Sequence, residues 1–136
     1  MTDRIEKAML NHKKGYNCAQ CVACAFHEDI GVDEDTVFRM AEGFGAGMGG
    51  MKATCGALSG AALIFGLKNS TGTQKLGSKA GTCKMSKALV QRFEEKNGSV
   101  VCGDLKGIQT KKPLRSCDGC IQDAIEIAEQ ILKEND

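Results

Sequence analysis

Eight cysteines in a chain of 136 residues are the side chains here with the most chemistry in them. Three of the eight share a local setting: Cys18 follows Asn17, Cys55 follows Thr54 and Cys117 follows Ser116, each preceding residue being a good helix cap. Each sulfur is therefore expected in the first turn of a helix. Unpaired backbone N–H groups and the helix dipole there favour the thiolate over the thiol. The thiolate is both the nucleophile of thiol exchange and the sulfur ligand of metals, so three such helix starts aimed at one point would make a thiolate or metal–sulfide site. A cysteine is as readily a small buried hydrophobe; recurrence in one setting is what favours chemistry at these three. Two of them also open C-x-x-C pairs, Cys18 with Cys21 and Cys117 with Cys120, a spacing that permits dithiol exchange. The βαβ setting of thioredoxin-like proteins is missing. Cys18, Cys21 and Cys24 have the spacing that begins a bacterial ferredoxin signature, without its fourth cysteine and proline. Cys21, Cys24 and Cys83 are read as core residues.

The segment before Cys55 is the second candidate. GFGAGMGG, residues 43 to 50, contains the letters G-x-G-x-x-G, but it follows a predicted helix and no acidic residue stands at the required distance beyond it. A dinucleotide site is not expected, and Gly50-Met51-Lys52 fails the phosphate-loop pattern. A nest of backbone N–H groups in this loop could still donate to sulfur or another anion, which makes Gly47, Gly49, Gly50 and Gly56 the candidate cofactor-binding positions. His12 and His27 are lone histidines on predicted helices, read as fillers; of the two, only His27 stands one turn from a cysteine, Cys24. Asp33, Glu34 and Asp35 are helix starters, not catalytic carboxylates.

The elements that must position these residues are helices. The apolar period and the caps predict an all-α, single-domain helical bundle of about five to six helices with a glycine-rich loop, spanning residues 1–136. A first helix, capped by Thr2 or Asp3, ends at Gly15; a second runs from the Asn17 cap through CAQCVACAFHEDI to Gly31; a third starts at the acids 33 to 35. After the loop, Thr54 caps CGALSGAALIFGL. A long helix then follows the turn at 69–72 and ends at Asn97-Gly98, with Met85, Leu89, Val90 and Phe93 on its inner side. Residues 99–102 are the one possible strand, and 103–115 a polar connection. Ser116 caps the last helix, whose Ile121, Ala124, Ile125, Ala128, Ile131 and Leu132 make a buried stripe.

Composition narrows the partners. Lysine and arginine (18) nearly balance aspartate and glutamate (17), a net charge of +1 that offers no footprint for nucleic acid or an anionic membrane. The start, MTDRIEKAMLNHKK, lacks a secretory pattern. The nearly apolar stretch from Cys55 to Leu67 is shorter than the roughly 20 residues that cross a bilayer. A cytoplasmic location is expected, where disulfide frameworks rarely persist and cysteine clusters point to metal or catalysis.

With NCAQ at 17–20, GFGAGMGGMKATCGALSG at 43–60, Cys102 in VCGDL, and Cys117 ahead of IQDAIEIAEQIL, the chain resembles the C_GCAxxG_C_C family of redox-active proteins. The resemblance covers nearly all of it and implies four signature cysteines of redox role: Cys18, Cys55, Cys102 and Cys117, with Cys120 competing for the last place. A similar segment occurs in split-Soret cytochromes, which hold an iron–sulfur centre beside their haems, although this chain has no C-x-x-C-H for haem. Four thiolates match the ligand count of an iron–sulfur cluster and equally of structural zinc. Isolated cysteines at helix starts, without the paired knuckles of zinc sites, tilt the reading toward redox work. The expected function is electron transfer through a cluster or thiol/disulfide exchange without a cofactor, with an unidentified redox partner protein. The alternative is a non-redox zinc-binding or accessory protein. Whether the chain is an enzyme or an electron carrier, and its oligomeric state, are left open.

Overall fold

A computed structural model describes residues 2–135 and places, among them, seven α-helices and no strand. Helix α1 (Asp3–Lys14) starts where the Thr2 side chain accepts from the Ile5 N–H and stops at Gly15, in the left-handed region. Helix α2 (Cys18–Cys24) is fully buried along its length. Its start is a capping box: Asn17 accepts from the Gln20 N–H and Gln20 accepts from the Asn17 N–H, both at 2.9 Å. Helices α3 (Glu34–Ala41), α4 (Gly56–Asn69) and α7 (Cys117–Glu134) pack around it with α1, and α5 (Lys79–Asn97) closes the bundle against α4 and α7. The short α6 (Cys102–Lys106) lies beside a 3-10 helix at Glu42–Gly47. Gly60 lets α4 approach α2 at backbone contact, since a Cβ there would stand 2.5 Å from the Ala19 carbonyl oxygen.

The structure departs from the sequence-based expectations at five places. Helix α2 ends at Cys24, well before Gly31. Residues beyond it form tight turns because Phe26 is drawn into the core, where the Arg4 guanidinium covers its ring at 4.8 Å and also bonds Asp29. Helix α5 begins only at Lys79, after a polar loop pinned by the Thr71 N–H donating to Ser78 Oγ at 3.1 Å. Thr54 does not cap α4; Cys55 is itself the N-cap residue, and Thr54 instead forms an isolated antiparallel bridge with Val101. The expected strand at 99–102 is reduced to that bridge, and Cys102, its expected last residue, instead opens α6, which runs into what reads as a polar connection. Leu105 of α6 is buried, and its carbonyl accepts from the Leu114 N–H at 2.8 Å, which folds residues 107–114 back onto the bundle. Cys83, read as core, is exposed, because the buried face of α5 is set by Met85, Leu89 and Phe93. Among the described residues no helix is long and apolar enough to cross a membrane.

Candidate functional site

Four cysteines stand at helix starts: Cys18, Cys102 and Cys117 are the first residues of α2, α6 and α7, and Cys55 is the N-cap of α4. The chain brings these four, with Cys120 one turn into α7, around one small cavity of about 10 Å³ that Leu105, Lys106 and Arg115 also line. That volume holds at most one water. A short ladder fixes two of the sulfurs in place. The Cys55 N–H donates to the Val100 carbonyl at 2.7 Å and the Cys102 N–H to the Ala53 carbonyl at 3.0 Å, on either side of the Thr54–Val101 bridge. Ser116 holds the start of α7 by accepting from the Gly119 N–H at 3.0 Å.

Glycine clears the ground around these thiols. A Cβ at Gly56 would lie 2.5 Å from Cys18 Sγ, and one at Gly47 would run into the Cys102 side chain. Gly47 sits in a run of six residues, Ala46 to Met51, that all have positive φ. Three of them, Ala46, Met48 and Met51, are not glycine, and left-handed backbone costs such residues about 1 kcal/mol or more each. This strained loop carries the Ala46 amide near enough to Cys18 to help lower its thiol. Gly49 and Gly50, in contrast, are exposed with open space beside them; the loop reaches the thiols through Ala46 and Gly47.

The protons are shared unevenly. Cys18 is hydrogen-bonded by the Cys117 thiol and, against the effect of burial, by the N–H groups of Ala46 and Ala19, with the Lys106 charge nearby; its thiol is pulled down to about 6. Cys117, the donor in that pair, is pushed up by the same bond, by burial and by the charge on Cys18. Cys55 forms a second hydrogen-bonded pair with Cys120 and is likewise pushed up. Cys102 is raised by burial. The pairs therefore run between elements, α2 to α7 and α4 to α7, and not within the C-x-x-C motifs. Cys21 is fully buried, with its sulfur 3.7 Å from the Tyr16 carbonyl and its thiol pushed up to about 12, chiefly by burial. Cys24 is also buried and pushed up to about 11. All eight cysteines are free thiols.

Three flanking residues escaped the sequence reading. Lys106 and Arg115 lie in the segment read as a polar connection, and the folding of α6 is what carries Lys106 to the sulfurs. Arg115 is held by Asp123, a buried carboxylate that also binds Lys96 and Asn97. His12, read as a filler, places Nε2 4.0 Å from Cys117 Sγ and Nδ1 2.6 Å from Asp118 Oδ1; no local signal in α1 points to this. His27 instead contacts the Val32 carbonyl and Glu34, away from the cavity.

The donor chemistry of the cavity suits soft metals, but its arrangement does not yet suit an ion. Among the described residues no three Cys, His, Asp or Glu side chains are placed to hold a metal.

The sequence model described as "Putative redox-active protein (C_GCAxxG_C_C)" matches residues 16–131, a span that includes every cysteine and α2 through most of α7. Neither the curated proteins nor the solved structures contain a match, so the expected partial similarity to split-Soret cytochromes has no support. On a match over most of its length, the chain belongs to the C_GCAxxG_C_C family.

Proposed function

We propose that the protein is a thiol-based redox protein in which Cys18 and Cys117 cycle between a thiolate–thiol pair and a disulfide. The observation that carries this is the meeting of Cys18 and Cys117, the first residues of α2 and α7, at one cavity, near enough that each shifts the other's thiol, Cys18 down and Cys117 up. A thiolate beside a second thiol is the arrangement that dithiol exchange requires. In the forward direction the pair gives two electrons to a disulfide on a partner protein: the Cys18–Cys117 bond forms, the partner's S–S bond breaks, and the partner leaves as two thiols. Lys106 and the Ala46 and Ala19 amides stabilise Cys18 as the thiolate. Cys55, Cys102 and Cys120 are the remaining redox candidates of the cavity.

A second reading rests on the count. Five cysteines line one cavity where dithiol exchange needs two, and Cys18, Cys55, Cys102 and either Cys117 or Cys120 would suffice to hold an iron–sulfur cluster, or zinc in a structural role. Gly47 and Gly56 would then keep side chains clear of it. This reading requires the thiols to turn from their present pairs toward a common centre. Metal and acid-labile sulfide analysis with a visible spectrum, on protein purified without oxygen, separates the two. The dithiol reading predicts no stoichiometric metal and reversible loss of two thiols on mild oxidation. Iron with sulfide and broad visible absorption would replace it with the cluster, and zinc alone with the structural role.

A further inference from the structure

We propose that Cys117 is the sulfur that meets the redox partner, and that His12, oriented by Asp118, is the base that takes its proton. The inference rests on the dithiol reading and adds the order of attack to it. Of the five cysteines around the cavity, Cys18, Cys55, Cys102 and Cys120 are each at most 7% exposed, and Cys117 alone is half-buried. An incoming disulfide needs an in-line approach to the sulfur it reacts with, so the accessible member of the Cys18–Cys117 pair is the one it meets.

As a thiol, that member needs a base to become the nucleophile. The imidazole of His12, at the end of α1, is aligned as one: Nδ1 donates to the Asp118 carboxylate at 2.6 Å, which leaves the lone pair of Nε2 facing Cys117 Sγ at 4.0 Å. The distance is longer than a finished hydrogen bond, as is usual before a substrate closes the site. Nucleophile, base and a third group that orients the base form a functional unit wherever they occur. His12 and Asp118 reach it from different helices and are partly open to solvent, with side chains 29% and 59% exposed. His12 also lies before residues 16–131, the part of the chain that matches the family.

The steps balance. His12 Nε2 takes the Cys117 proton as Cys117 attacks one sulfur of the partner's disulfide. The partner's other sulfur leaves and receives that proton from His12, and a mixed disulfide now sits on Cys117. The Cys18 thiolate then attacks Cys117 Sγ, the mixed disulfide breaks, and the partner's second sulfur leaves as a thiolate that is protonated by water. Two electrons have passed from the Cys18–Cys117 pair to the partner. In the reverse direction a partner thiolate attacks Cys117 and Cys18 departs, the lower-pKa sulfur being the better leaving group.

Oxidised glutathione is the probe, and the Cys18→Ser variant, which cannot complete the second step, is the trap. Peptide mass spectrometry should place glutathione on Cys117, with a rate that falls by at least about tenfold in Cys18→Ser/His12→Ala and is restored by added imidazole. Cys18→Ser/His12→Gln, which keeps a polar side chain without the base, should be equally slow, so that a packing defect at His12 is not mistaken for loss of the base. An unchanged rate without His12, or glutathione trapped faster on Cys18 of a Cys117→Ser variant, would overturn the inference. Failure of the wild-type protein to form a Cys18–Cys117 disulfide would instead overturn the dithiol reading beneath it.

Discussion

Sulfurs gathered around one cavity cannot all ionise together, because each charge raises the cost of the next. The protein resolves this by hydrogen-bonding Cys117 and the loop amide of Ala46 onto Cys18, so that the charge settles there. Ultraviolet thiolate absorbance should accordingly titrate near pH 6 in the wild type, and Cys117→Ala should move that titration up toward the ordinary thiol value. A titration unmoved by Cys117→Ala would show that the pair does not hold the charge. The same shift links to stability. A thiol whose folded pKa is lowered from 9.0 to about 6 makes the folded state bind fewer protons than the unfolded chain between those values. Its contribution is full above the unfolded value and is lost as pH falls through about 6. The urea midpoint of the reduced protein should rise from pH 6 to 9, and Cys18→Ser should flatten that rise. Cys18 and Cys117 were legible as helix starts because a cap and the residue after it are neighbours in sequence. The pairing of Cys18 with Cys117 and the approach of His12 to Cys117 were not, since those partners are about a hundred residues apart and meet only once α1, α2 and α7 have packed.

At the scale of elements, the site depends on where α2 begins and how near α4 comes to it. Asn17→Ala removes the acceptor of the capping box and should cost about 1 kcal/mol, freeing the turn that carries Cys18. Gly60→Ala would drive a methyl group into the Ala19 backbone; it should cost about 1–3 kcal/mol by overpacking, read as a lower urea midpoint with unchanged slope. A neutral outcome at Gly60 would mean that α2 and α4 are not in backbone contact. The Thr2, Asn17 and Ser116 caps of α1, α2 and α7 and the glycine stops of α1 and α5 could be read from the sequence because they act within a turn. Helix α6 could not: its five residues carry too little period, and its start is fixed by the Ala53 carbonyl and the Thr54–Val101 bridge. That missing element hid Lys106 and left Cys102 looking like the end of a strand.

For the whole molecule, one buried carboxylate ties the bundle to the cavity. Asp123 is 2% exposed and binds Arg115 at 3.0 Å, Lys96 at 2.8 Å and Asn97 at 3.1 Å, joining the end of α5 to α7 and to the residue that flanks the thiols. These bonds hold its carboxyl below the ordinary value despite burial. The stability they confer is present above the unfolded carboxyl value and lost as pH falls through the lower folded one. Asp123→Asn should cost about 2 kcal/mol, the low end for charged hydrogen bonds, because Lys96 and Arg115 are partly open to solvent. It should also loosen Arg115 beside Cys120, so that alkylation of the cavity thiols speeds up along with the loss of stability. The bundle itself was readable from the apolar stripes of α5 and α7, whereas this polar tie was not, because it joins residues on three separate segments. Everything functional in this account turns on one bond, and it can be sought directly. The reduced protein, prepared without oxygen and treated with one equivalent of a two-electron thiol oxidant, should yield on non-reducing peptide mapping a single disulfide between Cys18 and Cys117. A bond within either C-x-x-C pair, or between Cys55 and Cys120 with Cys18 and Cys117 still alkylatable, would contradict it.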